Sequence, residues 1–108
     1  MTILKTMYGL GVFPGTVQGE VQIIRSQREL NRKINGIVVA ERITIDWLPF
    51  LKNSKAIVSE IGGVTCHAAV IAREFRIPCV VGVRGITKRV RNGLMISVDG
   101  KTGEITEL

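Results

Sequence analysis

The chain carries one histidine, His67, within the stretch GGVTCHAAVIARE at residues 62–74. Two glycines stand before it, Thr65 and Cys66 adjoin it, and Arg73 follows further on. A neutral imidazole carries a lone pair, so it can attack an electrophile such as phosphorus and then hold the transferred group. In the residues that follow, Ala68, Ile71, Ala72 and Phe75 recur at i, i+3, i+4 and i+7, one apolar stripe of a helix. The pattern predicts a helix over 66–75 with His67 in its first turn. Unpaired backbone N–H groups and the positive end of the helix dipole collect there, and together they receive an anion such as phosphate. Thr65 is the expected N-cap. Gly62 and Gly63 allow backbone angles closed to other residues and let a ligand or partner approach the main chain. The chemistry these residues suggest is acceptance of a phosphoryl group on His67. A structural histidine at a helix start would show the same spacing. Cys66 has two readings as well, a thiol activated at a helix N-terminus or a small residue filling space beside a sheet.

The elements that would hold this helix in place can be read on either side of it. TVQGEVQII at 16–24 alternates, with Val17, Val21 and Ile23 on one side and Gln18, Glu20 and Gln22 on the other, as a half-buried strand does. Ser26 and Glu29 have capping-box spacing, and Leu30 and Ile34 share a helical face. The Asn35-Gly36 pair ends that helix and leads into IVVA at 37–40, a short, wholly apolar strand. A second short helix is expected from Asp46 as cap through WLPFLKN, with Pro49 tolerated in its first turn. KAIVSE (55–60) and IPCVVGV (77–83) read as further buried strands, and LMISV (94–98) with EITEL (104–108) flanks DGKTG as a hairpin. Strands and helices alternate in the middle and strands pair locally at the end. The expected class is α/β, with a mixed sheet, covering helices and a C-terminal hairpin.

At 108 residues the length suits a single domain spanning 1–108. The composition, 45% hydrophobic and 22% charged, is that of a globular chain. Cys66 and Cys79 form no C-x-x-C pair, and with one histidine they lack zinc-ligand spacing. No apolar run approaches the roughly 20 residues of a membrane helix, and the N-terminus is broken by Gly and Pro. A cytoplasmic protein with reduced thiols, and no membrane partner, is expected. The net charge is +6, with Lys and Arg grouped at 25–33 and 84–91. Such groups are solvated faces or attract anionic partners. Aromatics are only 5%, so the stacking platforms of a nucleic-acid binder are scarce and that reading is weak.

The stretch GGVTCHAAVIAREFRIPCVVGV at 62–83 resembles the phosphohistidine signature of the phosphoenolpyruvate-utilising enzymes: phosphoenolpyruvate synthase, pyruvate phosphate dikinase and enzyme I of the sugar phosphotransferase system. The likeness extends over most of the chain. GVFPGTVQGEVQII is similar to the family's opening segment, NGIVVAERITIDWLPFLKNSKAIVSE to its middle, and VRNGLMISVDGKTGEI to its closing hairpin. The resemblance implies a swivelling β/β/α domain that carries phosphate on its histidine between two distant sites. One would be an ATP-grasp module and the other a TIM barrel that forms or consumes phosphoenolpyruvate. It implies that His67 is the phosphorylated residue, supported by Gly62, Gly63, Thr65 and Cys66. Arg73 closes the signature, as a scaffold, docking or phosphate-contacting residue. Cys66 stands where Ser is commoner, and Ile45 where the family often has Pro. No cofactor is expected on this domain itself; Mg2+ and ATP would belong to the partner domains. A rival reading keeps the swivelling fold as an interaction or regulatory module that is never phosphorylated.

Overall fold

The computed structural model describes residues 5–108. Eight strands run in chain order: β1 (Thr6–Tyr8), β2 (Leu10–Phe13), β3 (Thr16–Ile23), β4 (Ile37–Ala40), β5 (Ala56–Ser59), β6 (Cys79–Val81), β7 (Met95–Asp99) and β8 (Glu104–Glu107). Their order across the sheet is β1-β8-β7-β3-β4-β5-β6-β2. The contiguous strands β3, β4, β5 and β6 pair in parallel, whereas β3 with β7, β7 with β8, β1 with β8 and β2 with β6 are antiparallel. The strands β1 and β2 lie at opposite edges, yet only Gly9 separates them in the chain. The two edges must therefore meet, and the sheet curls back on itself. The Gly9 N–H donates to the Gly103 carbonyl at 2.9 Å, which carries the β1–β8 ladder up to the point where the chain passes into β2.

The curl creates two apolar layers. One lies inside it, where Met7, Ile96, Val98 and Ile105 of the antiparallel half meet Ile37, Val39, Ala56, Val58 and Val80 of the parallel half. The other lies on the outer face, where Val38, Ala40, Ile57, Cys79 and Val81 pack under Ala68, Ile71 and Ala72 of the helix α1 (His67–Phe75) and against Trp47 and Leu51. Successive residues of β4 thus bury into opposite layers. Burial on both faces is why IVVA and AIVS read as unbroken apolar runs rather than alternating ones. The β/β/α layering expected from the resemblance is the architecture observed.

Several elements depart from the sequence reading. The strands β1 and β2 and the four-residue helix α2 (Ile86–Arg89) were not expected. The helix foreseen after Ser26 is only a 3₁₀ helix, Gln27–Asn31, with no side-chain bond from Ser26. Glu29 instead accepts the Arg25 N–H at 3.0 Å. Gln22 of β3 explains the early stop: its side-chain oxygen accepts the N–H groups of Asn35 and Gly36, and its amide donates to the Lys33 carbonyl. Backbone held this way is not available to a continuing helix. The second short helix is also 3₁₀, Ile45–Phe50, and its N-cap residue is Thr44 rather than Asp46. The Thr44 hydroxyl donates to the Asp46 carboxylate. Pro49 falls beyond the first turn of this helix and offers no N–H, so an α-helical ladder cannot run through it. The hairpin is as expected. Asp99 accepts the N–H groups of Lys101 and Thr102 at 2.9 and 3.1 Å, and Gly103 takes φ +84° to complete the turn. No helix among the described residues is long and apolar enough to cross a membrane.

Candidate functional site

The site forms where the carboxyl ends of β4 and β5 lie side by side. The parallel ladder continues just past both strands: the Glu60 N–H donates to the Ala40 carbonyl and the Ile61 N–H to the Glu41 carbonyl, each at 3.0 Å. Residues 60–65 then cross from the sheet to α1, and three side chains hold this crossing. Ser59, fully buried, donates its hydroxyl to the Ile61 carbonyl at 2.9 Å. The Glu60 carboxylate accepts the N–H of Thr87 at 2.9 Å and the Thr87 hydroxyl as well. Arg73, from the far end of α1, donates to the Val64 carbonyl at 2.8 Å. The Thr87 hydroxyl holds the Glu60 carboxyl below its ordinary value of 4.5; burial opposes this, and the amides of Thr87 and Gly85 and the charge of Lys88 reinforce it.

Gly62 takes φ +147°, and a Cβ there would stand 2.8 Å from the Cys66 sulfur. Gly63 has open space around it and accepts the Cys66 N–H at 3.2 Å. The N-cap residue of α1 is Cys66, not Thr65 as expected. The backbone of Cys66 is extended (φ −68°, ψ 165°), and its thiol makes no capping bond. Thr65 is exposed one residue earlier. His67 is the first helical residue and is exposed, while Ala68 and Ala69 behind it are buried. Small residues there let the first turn of α1 lie close on the sheet.

His67 opens into a cleft of about 390 Å³ whose lining also includes Arg42, Ile43, Thr44, Ile61, Gly62, Thr65 and Cys66. Exposed Ile61 lines it, and Ile45, Val64 and Val70, each within three residues of a lining residue in the chain, are exposed as well. Four of the six residues singled out from sequence, Gly62, Thr65, Cys66 and His67, therefore line one surface. Gly63 shapes the turn without lining the cleft, and Arg73 braces the turn from behind. Arg42, Ser59, Glu60 and Thr87 escaped the sequence reading. One signal could have found Arg42: ligands of parallel sheets gather beyond the carboxyl ends of the strands, and Arg42 follows β4 as His67 follows β5.

The two thiols differ sharply. Cys66 is half-buried, while Cys79 is fully buried, and both are free. Burial pushes the Cys79 thiol up to about 12, with the neighbouring Cys66 adding to the rise and Arg73 opposing it. Among the described residues no three His, Cys, Asp or Glu side chains gather where they could hold a metal ion.

Residues 33–103 match the family model described as PEP-utilising enzyme, mobile domain. The chain belongs to this family. A probable phosphoenolpyruvate synthase of Archaeoglobus fulgidus is 41% identical over 100 residues, covering 92% of the chain and 13% of that protein. The chain thus spans about one-eighth of the length of the curated relatives it matches. Among solved structures, an NMR structure of enzyme I aligns with a TM-score of 0.61 and 30% identity, over 69% of this mobile domain and 31% of that chain. The aconitase X of Thermococcus kodakaraensis superposes with a TM-score of 0.76 over 96% of this chain and 98% of that one. At 22% identity that likeness concerns the fold alone.

Proposed function

We propose that this mobile domain is a phosphoryl carrier whose acceptor is His67. The observation that carries the reading is the placement of the ring. It is exposed, it is the first residue of α1, and it faces a cleft rather than the core, so packing makes no demand for an imidazole there. In the transfer, a lone pair of the neutral ring attacks phosphorus in line. The P–N bond forms as the bond from phosphorus to the donor oxygen breaks, and that oxygen leaves with the electron pair. The free N–H groups of the first turn of α1 favour the anion so formed. The return step reverses these bonds on an acceptor.

The small share of each relative that the chain covers supports a carrier that works with other domains. We assign the nucleotide site to an ATP-grasp partner and the phosphoenolpyruvate site to a TIM-barrel partner, with ATP and Mg2+ bound there. The exposed apolar side chains of Ile61 in the cleft and of Ile45, Val64 and Val70 on the flanking segments suit a surface that both partners cover in turn.

The test uses a phosphoenolpyruvate synthase relative whose own mobile-domain histidine is replaced, supplied with radiolabelled phosphoenolpyruvate. Acid-labile label should pass to this chain and be absent from the His67→Ala variant. Label that persists on the variant, or none on the wild type, would overturn the assignment.

A further inference from the structure

We infer that Arg42 is the cation that pairs with the phosphoryl group while His67 holds it. This rests on the carrier reading above and goes beyond it, because the family's signature stretch contains a different arginine, Arg73.

Arg73 is already committed. Its guanidinium donates to the Val64 carbonyl at 2.8 Å, and it does not line the cleft that His67 opens into. Arg42 does line it, and it is the one charged side chain in that lining. It is exposed and makes no hydrogen bond or ion pair among the described residues, so no protein carboxylate competes for it. Its position is fixed from the backbone upward: the neighbouring Glu41 carbonyl accepts the Ile61 N–H at 3.0 Å, which ties the residues after β4 to the entry of the Gly62–Gly63 turn.

A phosphoryl group on imidazole brings about two negative charges into a cleft otherwise lined by apolar and neutral polar groups. Helix N–H groups carry only partial charge. A guanidinium is always protonated and offers two parallel donors to a pair of phosphoryl oxygens. The Thr65 hydroxyl, on the same cleft, adds a neutral donor. The arrangement divides the work: Arg73 holds the shape of the turn, and Arg42 meets the ligand's charge.

The experiment needs no partner protein. Wild type, Arg42→Ala and Arg42→Lys are treated with phosphoramidate, a small phosphoryl donor, and the adduct on His67 is followed by phosphorus NMR across pH. In the wild type the phosphoryl group should lose its last proton at lower pH than in Arg42→Ala, with Arg42→Lys between them. The rate of adduct formation should fall roughly ten- to hundredfold in Arg42→Ala, the range for losing a charged hydrogen bond to an anion. That rate should also lose most of its dependence on salt. Circular dichroism confirms that each variant is folded. If wild type and Arg42→Ala share one titration curve and one rate, the role of Arg42 is refuted while the carrier reading stands. If the wild type forms no adduct on His67, the carrier reading fails and this inference with it.

Discussion

The two adjacent glycines of the signature should respond very differently to alanine. At Gly62 the backbone sits at φ +147°, a conformation that residues with a Cβ rarely adopt. Forcing alanine into it costs about 1–3 kcal/mol. The new Cβ would also stand 2.8 Å from the Cys66 sulfur, 3.3 Å from the Cys66 Cβ and 3.4 Å from the Val81 Cβ. The sulfur can swing only towards the cleft that Cys66 lines, and the Cys66 and Val81 Cβ atoms still crowd the new methyl. Overpacking of this kind adds about 1–2 kcal/mol. The sum for Gly62→Ala is about 2–5 kcal/mol. At about 4–8 °C per kcal/mol for a domain near this size, the fall in Tm is roughly 8–40 °C. Gly63 has nothing within 4 Å of the corresponding position and no left-handed φ, so Gly63→Ala should stay within about 0.5 kcal/mol of wild type. Urea titration followed by fluorescence of the single tryptophan, the buried Trp47, measures both. Adding Cys66→Ala to Gly62→Ala should recover the steric part, about 1–2 kcal/mol, and leave the dihedral part. Equal urea midpoints for the Gly62 and Gly63 variants would refute this account of the turn.

Alkylation should separate the thiols. Cys66 should react with iodoacetamide in the native protein and Cys79, buried with its thiol pushed up to about 12, should not. The Cys66 adduct should block phosphorylation of His67, and mass mapping that finds both cysteines modified at the same rate would contradict the packing. Glu60 should make stability depend on pH. Because its folded value lies below 4.5, the stability it contributes is present above 4.5 and is lost as pH falls through the folded value. Glu60→Gln should flatten that part of the urea-midpoint profile, and an unchanged profile would remove Glu60 as the brace. Arg73→Ala should loosen the turn, lowering stability by about 0.5–1.5 kcal/mol for an exposed hydrogen bond and slowing adduct formation on His67. Unlike Arg42→Ala, it should leave the phosphoryl titration unmoved. Ile71→Ala removes a fully buried side chain of α1 and should cost roughly 2–5 kcal/mol in the same titration.

The parallel middle of the sheet was legible in the sequence because burial on both faces leaves unbroken runs such as IVVA and AIVS. The closing hairpin was legible because Asp99 and Gly103 supply the turn chemistry locally. The strands β1 and β2 were not, since they are three and four residues long and find their partners, β8 and β6, far along the chain. The two 3₁₀ helices were misread as longer or differently capped helices for a related reason. Their extent is set by bonds from elsewhere, such as those from Gln22, or by Pro49. In the site, His67 and its glycines announce themselves within one stretch. Arg42 reaches the cleft only because β4 and β5 are adjacent, and Glu60 meets Thr87 only because α2 folds back beside the turn; no local pattern marks them.

The central claim is that His67 carries phosphate in the living cell. The direct measurement is mass spectrometry, under alkaline conditions that preserve phosphohistidine, of the protein taken straight from cells. The account predicts one phosphate on the peptide containing His67, lost on brief acid treatment and missing from His67→Ala. Unmodified His67 in the wild type, together with normal biological activity of the His67→Ala variant, would contradict it.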